Sequence, residues 1–557
     1  MIHPYYQSPR RPRRAVPAAG ALPHFSAPRY VQRLLAVVLA AFCLASCAQS
    51  ADSDAKSKER FFTYAVDSPL HTVNAASNLG VSTHADLLAA RLYPAMFVYG
   101  PKGQKIPNTD VGTAQAIPGL RTKIAYRINP EARFSNGEPL TCTDFFLAVT
   151  AGQLNAVFDS RIQLAEQIEA VDCQPGSKGF SVTFRPEQGA RWKELFGAGT
   201  VMPAHVVARQ AGLSLEELHQ ALSTGDGQAL APVAEAWNTT FNLDNFQPEN
   251  FPSFGPYAVD SVADDGAVTL NRNQNYNGDP AVISPVTVLP RTEDVAARVA
   301  SRDAEVVDLG GHSAKVVNRD DADNPYEVIS QVGDLTEHLV LANGGTLGFK
   351  DNRKALAACV DQEAIARASA AAAGMDVPAV GTHLLSANDP MRQRLAPIEQ
   401  AHLPVDVAAA EALRGQTIRI GYVGPSARKA AMVQAIAQSC EPAGITVVDV
   451  SDAAVGLGDL ERTEIDAYGV ETDVPGAADA IVLALDPQVE FGSVNGDAAD
   501  TQALRRDEEA LWEDVRTIPL AAQPRNFAVD RKIKNVVTNT ATGGLGWNLD
   551  RWQEKDQ

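Results

Sequence analysis

Apolar and polar positions along this chain repeat with two rhythms, one of period two and one near 3.6 residues. Period-two runs at FFTYAV (61–66), KIAYRI (123–128), IEAVDC (168–173) and FSVTF (180–184) predict strands, the last two joined as a hairpin across PGSKG. Helical spacing over THADLLAARLYPAMF (83–97) predicts a helix. A second helix opens at Thr141-Cys142-Thr143-Asp144, a capping-box-like start just after a tight turn at Asn136-Gly137, and runs through DFFLAVTAGQL. Ser214 and Glu217 form a similar box for LSLEELHQAL (213–222). From 253 to 310 the rhythm becomes strand, turn, strand and then an αβ unit.

A second α/β region begins near TEHLVLANG (336–344). It continues through the helices NRKALAACV and DQEAIARASAAAA to a βαβ unit: TIRIGYVG (417–424), SARKAAMVQAIAQSC (426–440) and GITVVDV (444–450). Alternation of this kind predicts open α/β sheets. After the helix TQALRRDEEALWEDV (501–515), the late strand IPLAAQPRNFAV (518–529) is expected to return to the first lobe. The resulting division is a first lobe over 61–334 with a subdomain at about 101–250, a second lobe over 335–512, and a return over 513–557.

The N-terminal region has a different pattern. LLAVVLAAFCLAS (34–46) is apolar, follows Arg33, and is too short to cross a ~30 Å hydrocarbon core as a helix. It ends in Leu44-Ala45-Ser46-Cys47, the pattern of a lipoprotein signal in which Cys47 is acylated and becomes the new N-terminus. Cys43 is a poorer acceptor because Phe42 precedes it. Stable anchoring requires more than one acyl chain. The polar stretch 48–60 reads as a tether, so the protein is expected on the outer face of the cytoplasmic membrane. RRPRR (10–14) lies too far from the apolar run for a twin-arginine signal, and translation is expected to start at Val31.

Removal of residues 1–46 leaves 511 residues, enough for two to four domains. The formal charge is −19, and the first 46 residues hold six arginines and no acid, so the mature chain stands at −25. That argues against nucleic acid and against electrostatic binding to anionic headgroups. Four further cysteines, Cys142, Cys173, Cys359 and Cys440, form an even set in an exported chain, which favours two disulfides. Three pairings are open. Cys142–Cys173 and Cys359–Cys440 are preferred because each stays within one expected lobe.

Catalytic signals are missing. There is no HExxH, no GxSxG and no Walker loop, since GGTLGFK (344–350) has the wrong spacing. Asp321 and Asp323 lack the later ligands of an EF-hand, and no Cys/His set has zinc spacing. His205 and His338 read as structural. The expectation is a protein that is not an enzyme and carries no metal or cofactor.

Four segments in order resemble one family along nearly the whole mature chain: KIAYRINPEARFSNGEPLTCTDFFLAV (123–149), FGPYAVDSVADDGAVTLNRNQNYNG (254–278), FKDNRKALAACVDQEAIA (349–366) and IPLAAQPRNFAV. They are similar to motifs of the extracytoplasmic solute-binding proteins of family 5, the peptide- and nickel-type receptors of ABC importers. Cys142 and Cys173 are similar to cysteines of high-GC Gram-positive members. The resemblance implies a two-lobed α/β fold of the periplasmic-binding-protein type II, with crossover strands between the lobes. A small solute, a short peptide by this resemblance, would lie in the cleft. The partners implied are a permease and its ATPase, with the receptor a monomer.

In the peptide-binding branch an aspartate in a W-x-x-D-Y-P-D-P segment meets the ligand's amino group. The segment here is YGVETDVPGAADAIV (468–482), which places Asp473 at that aspartate, although the tryptophan is missing and Gly476-Ala477 replaces Asp-Pro. Asp473 also suits a cap of its own Asp-Val-Pro-Gly turn. Tyr468 and Asn343 are further cleft-wall candidates, whereas Tyr257 and Trp547 read as packing. The altered aspartate segment and the tail GLGWNLDRW also resemble LpqW-type accessory lipoproteins, which regulate envelope glycolipid synthesis without transporting.

Overall fold

The structure, a computed structural model, describes residues 61–453, 455–465, 471–491 and 500–555. The signal segment with Cys47, the tether and Tyr468 lie outside the described residues. A ten-stranded mixed sheet runs through the body. Its strands in chain order are β1 (Phe62–Ala65), β2 (Tyr257–Val262), β3 (Val268–Arg272), β4 (Val286–Leu289), β5 (Val306–Gly310), β6 (Tyr326–Leu341), β7 (Thr417–Gly421), β8 (Thr446–Asp449), β9 (Ala480–Leu485) and β10 (Thr517–Asp530). In space they lie in the order β8-β7-β9-β6-β10-β5-β1-β4-β3-β2.

Two long antiparallel strands, β6 and β10, connect the halves. Tyr326–Val332 pairs with Asp530–Pro524 beside β5, and Thr336–Val340 pairs with Ala522–Thr517 while also pairing with β9. The register slips between Val332 and Thr336, where the chain crosses from one half to the other. Apolar side chains collect in two main cores. One takes residues between Phe62 and Val306 together with Phe527–Trp552, and the other takes residues between Leu339 and Ala522. Each half thus buries its own apolar surface, the condition for a lobe that keeps its shape when the pair hinges.

The motif residues are occupied in building the scaffold. Asp144 is buried and accepts the N–H groups of Thr141 (2.8 Å) and Ala204 (2.8 Å), starting the helix Cys142–Gln153. Asn273 donates to the carbonyls of Ser253 (3.1 Å) and Gly255 (2.9 Å), closing the β2–β3 hairpin. Tyr257 is wholly buried and donates to Ile283 O at 2.8 Å. A Cβ on Gly255 would fall 2.3 Å from Arg91 O, so only glycine fits there. Arg353 caps the carbonyls of Leu347 and Gly348 and bridges to Asp514 at 2.9 Å.

Both disulfides are present: Cys142–Cys173 in the first lobe and Cys359–Cys440 in the second, closing separations of 31 and 81 residues. On the chain-entropy model each is worth roughly 3–5 kcal/mol. The expected helix over 83–97 is corrected. Helix Asn78–Thr83 ends at His84, which adopts a left-handed backbone (φ 53°), and only a single turn, Asp86–Ala89, follows. The apolar residues Leu87, Leu88 and Leu92 are still buried, so the spacing reports burial correctly but not continuity.

Candidate functional site

A cavity of about 180 Å³ lies between the lobes. The first lobe lines it with residues from Ala75 to Tyr99, Arg161 to Leu164 and Glu194 to Thr200. The return segment contributes Asn539 to Trp547, and the second lobe contributes Ala484 to Glu490 at the end of β9. Most of this wall is apolar: Val81, Phe97, Ile162, Leu195, Phe196, Leu485 and Val489 among others. Such a surface rewards a solute with apolar groups by about 25 cal/mol per Å² removed from water.

The cavity is also lined by polar groups, among them Asp486, Glu490, Arg161, Glu194 and Tyr99. Asp486 follows β9, and its Oδ1 accepts Gln488 N–H at 2.8 Å, capping the turn Pro487–Glu490. Burial pushes its carboxyl up to about 6; Lys105 opposes that rise while Glu194 and Asp334 add to it. Lys105 Nζ reaches Glu194 Oε2 at 2.6 Å, and the Tyr99 hydroxyl donates to the same oxygen. Across the mouth, Arg161 of the first lobe pairs with Glu490 of the second, Nε to Oε2 at 3.0 Å with a second contact from Nη2. Arg191 donates to Gln488 O at 2.9 Å, and Leu457 N donates to Ser82 Oγ at 2.8 Å. The lobes therefore touch, and the cleft is in a closed arrangement.

A second, smaller cavity of about 70 Å³ lies at the crossover and shares His84 and Thr542 with the first. It is ionic. Arg291 pairs with Asp67 (2.8 Å) and Arg525 with Asp308 (2.6 Å), while Arg428 pairs with Glu337. Burial works to raise the Asp67 carboxyl, but Arg291, helped by His312, Arg525 and Arg428, holds it below the usual range. Burial, helped by Lys429, lowers His84 to about 3, so that imidazole is neutral. Gly311 passes so close to Arg428 that an added Cβ would lie 2.2 Å from its Nε, so glycine makes room for the guanidinium.

The sequence-predicted site residues are not brought together. Asp473 lies on the exposed strand Glu471–Val474 of a two-stranded ribbon with Arg462–Ile465, where Thr463 Oγ1 donates to it at 2.7 Å. Asn343 is exposed after β6. Neither lines either cavity. Trp547, read as packing, instead lines the larger one and donates to Val537 O at 2.9 Å. Asp486 escaped the sequence reading. Its signal was the apolar run AIVLAL followed by Asp486-Pro487, a fully buried strand whose carboxyl end opens on the cleft. His205 packs on Phe134 and contacts Asn136 Nδ2, and His338 is wholly buried; neither lines a cavity.

Two lobes, two crossover strands and an interlobe cavity define a solute-binding protein. The chain belongs to the bacterial extracellular solute-binding proteins of family 5, whose model matches residues 121–468. This is a family of binding proteins, not enzymes. An uncharacterized lipoprotein of Mycobacterium tuberculosis is 32% identical over 558 residues, covering 93% of this chain and 96% of its own. Among solved structures, a periplasmic EDTA-binding protein has a TM-score of 0.63 at 17% identity, covering 89% of this chain and 96% of its own. An oligopeptide-binding protein of Thermus thermophilus, complexed with a pentapeptide, has a TM-score of 0.62 at 15% identity and covers 90% and 98%. These two likenesses establish the two-lobed fold.

Proposed function

We propose that this protein is a lipid-anchored extracytoplasmic receptor that closes on a short, largely apolar peptide and presents it to an ABC importer. Lobes of 61–334 with 513–557, and of 335–512, hinge about β6 and β10, and acylated Cys47 tethers the body to the membrane. One observation carries the reading: a mainly apolar cavity walled by both lobes, with a carboxylate, Asp486, at the end of β9. A solute touching both walls stabilises the closed form, because only that form makes both sets of contacts.

Asp486 is assigned the ligand's amino group in place of Asp473, the position to which the family resemblance gives that role. An ammonium beside it stabilises the ionised carboxylate and offsets the cost of its burial. β7 pairs with β9 only at Ala480 and Ile481, so Val482–Leu485 has no strand partner on that side among the described residues. That edge offers sequence-independent main-chain hydrogen bonds to an extended peptide.

The test is a thermal-shift screen of the purified protein against free peptides, nickel chelates and haem. A ligand at a hundred times its dissociation constant adds about 2.7 kcal/mol. A saturable rise with short apolar peptides is expected, and no rise with any peptide overturns the proposal. The alternative, an LpqW-type accessory lipoprotein that transports nothing, draws on the Arg161–Glu490 pair, which joins the lobes without a solute. It predicts a flat screen.

A further inference from the structure

The interlobe cavity carries more negative charge than its own cations neutralise. Four acids line it: Asp86 and Glu194 from the first lobe, Asp486 and Glu490 from the second. Glu194 is held by Lys105 at 2.6 Å, and Glu490 pairs with Arg161. The other lining arginine, Arg91, is committed to Asp550 at 2.7 Å, and the His84 imidazole is neutral. Asp86 and Asp486 are left. Arg525 acts on Asp86, and Lys105 on Asp486, only from beyond ion-pair distance, and each cation is already held, by Asp308 and Glu194. Among the described residues, then, one carboxylate from each lobe faces the same cavity without a counter-charge.

Asp86 opens the single turn Asp86–Ala89. The groups around its carboxyl are the Thr542 hydroxyl and the N–H groups of Asp86 and Leu87, all neutral donors; burial outweighs them and holds the carboxyl above its ordinary range. Neutral donors meet lone pairs but leave the charge in place. The return segment packs on the same turn. A Cβ on Gly543 would lie 3.7 Å from Ala90 Cβ and 3.8 Å from Trp547 Cβ, and one on Gly544 would lie 2.6 Å from Leu87 Cδ2. That packing brings Trp547, whose indole is fixed by its hydrogen bond to Val537 O, to the wall that carries Asp86. A carboxylate and an indole on one wall are the side chains that together receive an ammonium or a guanidinium.

We propose that Asp86 is a second cation-recognition residue of the cleft, so that the solute carries two cationic groups on an apolar body, one for each lobe. This inference rests on the receptor reading and adds the charge of the ligand to it: an amine-terminated peptide with a lysine or arginine side chain, its amino group at Asp486 and its side-chain cation at Asp86. The apolar lining, Phe97, Ile162 and Leu485 among it, takes the hydrocarbon that joins the two charges. A solute with one cation leaves the other carboxylate unpaired in the closed cavity, whereas a solute with two meets both. Only the closed form offers both carboxylates at once, so the second charge also favours closure. An alkyl diamine has the same chemistry as such a peptide, and the experiment separates the two.

The experiment measures binding to the intact protein by calorimetry. The probes are Leu-Lys-Leu and Leu-Leu-Lys as C-terminal amides, each against the same peptide with norleucine in place of lysine, which removes the side-chain ammonium and little else. In wild type the better lysine peptide is expected to bind at least about tenfold more tightly than its norleucine counterpart. Asp86→Asn, which keeps an oxygen for the Thr542 hydroxyl, is expected to erase that preference and to leave the norleucine peptides within about twofold of wild type. Asp86→Glu, which keeps the charge, should retain the preference. Equal binding of lysine and norleucine peptides in wild type overturns the assignment of Asp86 and leaves the receptor reading standing. A lysine preference that survives Asp86→Asn overturns it as well, because the second cation then lies elsewhere. A parallel arm compares octamethylenediamine with octylamine in the same proteins. If no peptide binds, but the diamine outbinds the monoamine about tenfold in wild type and not in Asp86→Asn, the peptide reading fails and Asp86 stands. If neither peptides nor amines bind, both are rejected.

Discussion

Two carboxyls in this molecule, one buried and one half-buried, are both raised but differ in their hydrogen bonding. Asp144, in the first lobe, and Asp486, at the cleft, are both pushed up to about 6, in each case chiefly by burial. Asp144 is fully engaged: one oxygen accepts from Ala204 N, the other from both Thr141 N and Thr141 Oγ1. Asp486 accepts one local backbone N–H and otherwise faces a cavity walled by the opposite lobe. A raised carboxyl alone therefore does not mark a binding site. What distinguishes a recognition group from a structural one is whether its acceptor capacity is already satisfied by the fold.

Exchanging the two residues gives the largest contrast. Asp144→Ala strands two buried backbone donors at a helix start and is expected to cost about 3 kcal/mol in urea unfolding, with peptide affinity unchanged at pH 7 once the fraction folded is accounted for. Asp486→Asn keeps an oxygen for Gln488 N–H, so stability should change by less than about 1 kcal/mol. The same change should weaken an amine-terminated peptide by roughly tenfold or more, since it removes a charge-assisted contact. Reversed results, with affinity lost at 144 and stability lost at 486, would break the distinction.

Acidification gives a smaller effect of the same kind. A carboxyl whose folded value is raised binds its proton more readily folded than unfolded. Its contribution is therefore largest below the unfolded value, near 3.8, and is lost as pH rises through about 6. Relative to Asp144→Asn, which cannot titrate, wild type should gain roughly 2–3 kcal/mol between pH 7 and pH 4. Taking this difference removes the opposing contribution of His84 and His338, whose lowered values destabilise the fold as pH falls through their unfolded range. At Asp486 the same proton is expected to compete with the ligand. Peptide affinity should fall on acidification through about 6 in wild type and stay flat in Asp486→Asn.

Legibility in the sequence follows the same division. Strand alternation, the boxes at Thr141 and Ser214, and the hairpin residues Asn273 and Tyr257 are local devices, and each was visible because its partner is near in the chain. The break at His84 was not visible, since a left-handed non-glycine residue leaves the apolar spacing around it intact. The crossover cavity could not be read at all. Its pairs join residues 224 and 217 positions apart within the first lobe, and only the tertiary fold gives them partners. Asp486 was missed for a third reason. It has neither the flanking aromatic nor the following Asp-Pro of the family segment, whose letters fall one strand earlier, on the ribbon that carries Asp473.

That ribbon sets the smallest expected effect, and it tests the comparison from the other side. Asp473 is exposed, its Oδ1 accepts from a neighbouring hydroxyl, and Val474 follows it into a short strand pairing with Arg462. Water competes for every contact it makes, and an exposed substitution of this kind moves stability by no more than about 0.5 kcal/mol. Asp473→Ala should therefore change stability by no more than about 0.5 kcal/mol and leave the affinity for an amine-terminated peptide within about twofold of wild type. A tenfold loss of affinity at Asp473 with none at Asp486 would put the amine on the ribbon and remove Asp486 from the site, because a single ammonium cannot be held by carboxylates on two separate elements that face different surroundings.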